Sequence, residues 1–169
     1  MINLGKIYKN FGLLETLVSF SLIYVISMLI WTATTREAVE SKANEIKYNH
    51  KQVVTFMNDQ VNDCDQNKEG LTKWGEACNS NWKSKKIVDF LLMNIDFKNP
   101  YSSQRKLIEA SEDPRIQAEG KAGQSTDKGI IFVSSQDFMN EAGSEWIIGT
   151  CVKSPCVAAG NNELVSIYR

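Results

Sequence analysis

Residues 11–31 read FGLLETLVSFSLIYVISMLIW. The run is 21 residues long and holds one charged side chain, Glu15. At about 1.5 Å per residue, a helix of that length spans the ~30 Å hydrocarbon core of a bilayer. Glu15 is the exception within it. A carboxylate in hydrocarbon costs roughly 2.5–3.5 kcal/mol on insertion scales. A residue that costly calls for a partner, and the identity of that partner bears on function.

The ten residues before the run, MINLGKIYKN, carry Lys6 and Lys9 and no acid. A basic segment ahead of an apolar one is the pattern of a targeting signal whose positive end stays in the cytoplasm. The run ends Leu29-Ile30-Trp31-Thr32-Ala33, without a small-x-small cleavage site, so removal at that end is not expected. The chain beyond Trp31 is therefore expected outside the cytoplasm. The four cysteines, Cys64, Cys78, Cys151 and Cys156, all lie on that side. Four cysteines allow three pairings. The local ones, Cys64–Cys78 and Cys151–Cys156, are preferred because each closes a short loop, with free buried thiols as the alternative. Zinc is disfavoured, since there is no C-x-x-C and the one histidine is His50.

Beyond Trp31 the pattern turns amphipathic. Val39, Ala43, Ile46, His50, Val53, Met57 and Val61 recur every three or four residues, while Arg36, Glu37, Glu40, Lys42, Glu45, Lys47 and Lys51 occupy the other face. Without proline, and with no glycine after Gly12, the chain reads as one helix of about 50 residues to about Asp63, roughly 75–80 Å long. On that stripe His50 reads as a packed, hydrogen-bonded core histidine. A polar loop lies between Cys64 and Cys78. Ser80 or Asn81 is expected to cap a second helix reaching about Ile95, with Ile87, Val88, Leu91, Leu92 and Ile95 inward. Asn99-Pro100-Tyr101 is a turn. Residues 109–128 read as an exposed connection, with a short edge strand starting at Leu107 or Ile108. Residues 129–134, 145–152 and 163–169 are strand candidates, expected to pair antiparallel in order and to bury one face. The fold class is thus α+β: a long N-terminal α-helix packed on a small antiparallel β-sheet. The organisation is a leader over 1–10, an apolar transmembrane helix over 11–31, its amphipathic half over 32–63 and a head over 64–169.

Net charge is −1, so no global bias points to nucleic acid. There is no G-x-S-x-G, phosphate loop or H-E-x-x-H, and an enzyme is not expected; nor is a cofactor. Asp63, Asp65, Asn67 and Glu69 alternate as in a calcium loop, but the glycine falls late and Cys64 interrupts, so a solvated loop is the reading. Trp82, Lys83, Lys85 and Lys86 mix an aromatic with cations as DNA-binding surfaces do, though lysines at a helix start ordinarily form a solvated face.

The motif Phe11-Gly12-Leu13-Leu14-Glu15-Thr16-Leu17-Val18, preceded by a basic leader and succeeded by a long helix, a small sheet and a C-terminal cysteine pair, resembles the type IV pilin family. The resemblance implies that a prepilin peptidase cuts between Asn10 and Phe11 and methylates the new amine of Phe11. It implies an inner-membrane precursor with a cytoplasmic N-terminus. It further implies a homo-oligomeric helical filament at the cell surface, built by a pilus assembly machinery, in which Glu15 meets the Phe11 amine of a neighbouring subunit. The chain departs from the family at Asn10, where glycine is usual, at Gly12, where a polar residue is usual, and at Thr32, where many members have proline. Ser19, Ser21 and Ser27 can instead bond back to helix carbonyls and allow bending. Alternatives are a pseudopilin of type II secretion, a minor pilin that captures DNA, and a bitopic protein that is never cleaved.

Overall fold

The computed structural model describes residues 12–95, 98–104, 106–111, 113–119, 128–135 and 145–168. Three helices are present among these residues: α1 (Leu13–Gln66), α2 (Ser84–Asn94) and α3 (Pro114–Glu119). Four strands accompany them: β1 (Ile108–Ala110), β2 (Ile131–Ser135), β3 (Glu145–Cys151) and β4 (Asn162–Tyr168). The chain divides into two compact units after Glu40. The fold is α+β, and the expected single long helix is found, ending one turn later than Asp63.

In the unit beginning at Ser41, α1 buries the predicted stripe from Ala43 to Val61, whereas Val39, expected on the same stripe, is 40% exposed. Ala43, Ile46, Val53, Met57 and Val61 join one core with Ile131, Val133, Trp146, Ile148 and Ile167 of the sheet and Ile87, Val88 and Leu91 of α2. Each large aliphatic side chain fully withdrawn from water contributes about 1.5–3 kcal/mol. Leu92 and Ile95 pack on the same core less completely. The sheet register explains the partition. Val133 lies opposite Ile148, which lies opposite Val165, while Trp146 lies opposite Ile167. Alternation along each strand then sends all of these to the α1 side.

The three predicted strands pair antiparallel in order, β2-β3-β4. The sheet also gains β1, which joins at the outer edge of β2 in parallel, making a mixed sheet of four strands. The expectation of a single buried face is corrected. From Trp146 to Cys151 every residue of β3 is buried. Helix α3 covers the second face, where Ala118 is fully buried and Gly149 lets the backbone approach. A Cβ on Gly149 would stand 2.8 Å from the Pro114 carbonyl oxygen and 3.1 Å from the Ala118 Cβ. The near-continuous apolar run Trp146-Ile147-Ile148-Gly149 is the signature of a strand covered on both sides.

Two local expectations are also overturned. Residues 109–119 are no exposed connection, since they hold the end of β1 and all of α3. Asp113 and Pro114 carry the signal for that helix. Asp113 Oδ1 accepts the Arg115 amide at 3.0 Å, and proline suits the first helical position because its missing N–H is not needed there. The remainder, 120–127, lies outside the described residues. Helix α2 starts after Lys83, with no side-chain cap from Ser80 or Asn81. Ser80 Oγ is turned to the Ala77 carbonyl. A distant acid holds the helix entrance: Glu76 Oε2 accepts the Lys83 amide at 2.9 Å and the Trp74 indole N–H at 3.0 Å, while Oε1 pairs with Lys86 at 3.3 Å.

The turn at Asn99 is built as a spacer between elements. Asn99 Oδ1 accepts the Tyr101 amide, Asn99 Nδ2 donates to the Lys128 carbonyl, and Tyr101 donates its hydroxyl to the Val152 carbonyl at 2.6 Å. Gly129 closes this corner with φ of 77°, and a Cβ there would lie 2.6 Å from Asn99 Oδ1.

His50 is buried and its Nε2 lies 3.1 Å from the Ile148 carbonyl, so that nitrogen carries the proton and donates it. Burial pushes its pKa below the ordinary 6.5, partly offset by the Ile148 bond and by Glu163. Between pH 6.5 and that lower value the unfolded chain binds a proton that the folded chain does not. Stability therefore falls as pH drops through this window, and His50 contributes no pH dependence above it. His50→Gln, which keeps an N–H for Ile148, is expected to flatten the part of the thermal-midpoint profile, from pH 6.5 downward, that His50 causes. An unchanged slope in the variant would refute this origin.

Candidate membrane and assembly segment

The unit that ends at Glu40 is helical from Leu13, and residues 12–39 are all exposed. Leu13, Phe20 and Trp31 show 83%, 69% and 72% of their surface, values that in water would amount to an uncovered apolar column. By length and composition this part of α1 is able to span a membrane, and none of its apolar window is buried within the chain.

The serine and threonine hydroxyls of the segment are bonded within the helix. Ser19 donates to the Glu15 carbonyl, Ser21 to Val18, Ser27 to Ile23 and Thr32 to Leu29, at 2.7–3.0 Å. Thr34 and Thr35 bond back to carbonyls at residues 30–32. The expected back-bonding of the three serines is thus present, and the threonines extend it. No hydroxyl in this set needs an outside partner, which is what hydrocarbon requires.

Glu15 has a partner in its own chain. Its Oε2 accepts the Gly12 amide at 2.8 Å. Gly12 precedes the first helical residue, so Glu15 holds the third helical position and makes one half of a capping box. Glycine has no side chain to supply the other half. The N-terminal position also suits a carboxylate because the helix dipole is positive there. Thr16 Oγ1 donates to the Gly12 carbonyl and tightens the same turn. Sequence reasoning misses this local partner, although a carboxylate three residues after a glycine at a helix start is the available signal. Asn10 and Phe11 lie outside the described residues.

The cysteines form the two local pairs, Cys64–Cys78 and Cys151–Cys156. The first fastens the end of α1 to the loop that carries Glu76, beside a bond from the Lys73 amide to Gln60 Oε1 at 2.8 Å. The second closes the turn between β3 and β4, where Asn162 Nδ2 reaches the Cys156 carbonyl. The mixed aromatic and basic cluster separates. Trp82 is buried in the core and donates to the Ala77 carbonyl, which removes it as a stacking surface, and Lys86 is paired with Glu76. Lys83 and Lys85 remain exposed. Asp63 accepts from Gln60, and among the described residues no three His, Cys, Asp or Glu side chains gather to hold a metal ion.

Comparison with protein families, curated proteins and solved structures finds no match.

Proposed function

We propose that this chain is a structural subunit of the type IV pilin kind. It is held in the inner membrane by the apolar half of α1 with its N-terminus in the cytoplasm. It then polymerises into a surface filament used in adhesion, motility or DNA uptake. The observation that carries the reading is the division of labour along one helix. Its first half is exposed and mostly apolar, with its serine and threonine hydroxyls bonded back to the helix, and its second half is the core helix of a disulfide-bonded α+β head. A helix of the first kind has to be covered by something outside its own chain. Bundling with copies of itself provides that cover once the subunit leaves the bilayer. The motif from Phe11 to Val18 adds the specific resemblance.

Mass spectrometry of sheared surface filaments tests the reading. The expected result is a mature N-terminus at methylated Phe11, obtained in spite of Asn10. The intrachain bond between Glu15 and Gly12 favours a second reading, since it leaves the carboxylate with a partner in the single chain. That reading is a membrane-anchored head that is never cleaved. Recovery of the chain with Met1 intact, from membranes and not from filaments, would select it.

A further inference from the structure

We propose that the bilayer is met by residues 16–35, and not by 11–31, so that Glu15 lies in the cytoplasmic headgroup layer and Arg36 in the opposite one. Twenty residues separate these two charges and none of them is charged. As a helix they extend about 30 Å, the thickness of the hydrocarbon core. Both windows are long enough, so length alone does not choose between them. The polar groups do. The window 11–31 holds the Glu15 carboxylate about 6 Å inside its cytoplasmic edge, four residues at 1.5 Å each. The window 16–35 excludes Glu15 and takes in Thr32, Thr34 and Thr35 instead. Those three hydroxyls donate to carbonyls of their own helix at 2.9–3.1 Å, so they enter lipid with their donors satisfied.

The helix start points the same way. Glu15 Oε2 takes the Gly12 amide, and the amides of Leu13 and Leu14 have no partner among the described residues. Gly12 has no side chain to cap them. A helix start of this kind belongs where water or headgroups are at hand. The cost assigned to Glu15 by its place in the sequence therefore falls away in the precursor. It arises only if the helix is withdrawn from the bilayer into apolar surroundings.

The proposal rests on the membrane part of the proposed function and not on polymerisation. Its test uses the full chain in inner-membrane vesicles, with single cysteines that leave Glu15 in place. The native cysteines are paired and give no background. With a membrane-impermeant maleimide, Leu14→Cys is expected to react from the cytoplasmic side at least tenfold faster than Phe20→Cys, and Thr34→Cys to be protected from both sides. Adding Glu15→Leu to Leu14→Cys is expected to slow its labelling at least tenfold, as the band slides toward the cytoplasm. Protection of Leu14→Cys with Glu15 present, or ready labelling of Thr34→Cys, would overturn the assignment. Either failure would leave the filament reading standing, and an absence of filaments would leave this assignment standing.

Discussion

Replacing Glu15 by leucine is expected to leave the chain in the membrane and to abolish filaments. Insertion should not suffer, because leucine lengthens the apolar segment and removes a charge. Assembly should suffer because of what happens to two charges together. In the proposed filament core the amine released at Phe11 is surrounded by apolar helices, and Glu15 of a neighbour is the acid available to it. Burying such a pair is close to neutral, whereas removing one member strands the other at a cost of about 3–5 kcal/mol. Even 3 kcal/mol per contact lowers the association constant by more than about a hundredfold. The yield of sheared filaments, normalised to membrane-inserted subunit, measures this. Glu15→Gln separates the two partners that Glu15 has been given. It keeps an acceptor for the Gly12 amide, but it has no charge for a neighbouring amine. Loss of filaments in both variants assigns the effect to charge. Normal filaments in the glutamine variant would assign it to the intrachain cap, and normal filaments in both would remove Glu15 from assembly.

Trp82→Ala is expected to be the most damaging single truncation of the head. Trp82 is 1% exposed and stands at the centre of a chain of rings, 5.0 Å from Trp74 and 5.7 Å from Trp146. Truncating a buried tryptophan to alanine costs about 3–5 kcal/mol through lost burial and the cavity left behind. Against a typical domain stability of about 5–15 kcal/mol, that is a large share. The cavity would open beside Glu76, whose carboxylate holds the entrance of α2, so α2 should loosen before the β2-β3-β4 sheet does. Chemical denaturation of the oxidised head measures the first effect, and amide exchange in α2 measures the second. Trp82→Phe should recover more than half of the loss. A cost under about 1 kcal/mol for Trp82→Ala would show that the aromatic cluster is not the centre of this core.

Much of this architecture is legible in the sequence because it depends on residues close together in the chain. The absence of proline and of further glycine between Gly12 and Asp63 predicts one helix, and the spacing from Ala43 to Val61 predicts the face that it buries. Ile131, Ile148 and Ile167 stand in runs rich in β-branched residues, and Gly160-Asn161 marks the turn between two of them. The cysteine separations of 14 and 5 residues favour local pairs, and local pairs form. Helix α3 is also legible in principle, through Asp113 and Pro114, but the polar residues around them read as a loop. A helix of six residues has too little pattern of its own. What makes it a helix is largely the apolar face of β3 on which Ala118 sits.

The sequence by itself determined the long helix, its change from apolar to amphipathic, the three antiparallel strands and the absence of any charge between Glu15 and Arg36. These come from periodicity and hydropathy, which act over a few turns and need no distant partner. Tertiary structure decided the parallel addition of β1, the burial of β3 on both faces, and the capping of α2 by Glu76 in place of Ser80 or Asn81. The first two depend on groups far apart in sequence, and the third on a loop whose path is set by the Cys64–Cys78 link and the Trp74–Glu76 bond, and only folding brings those groups together.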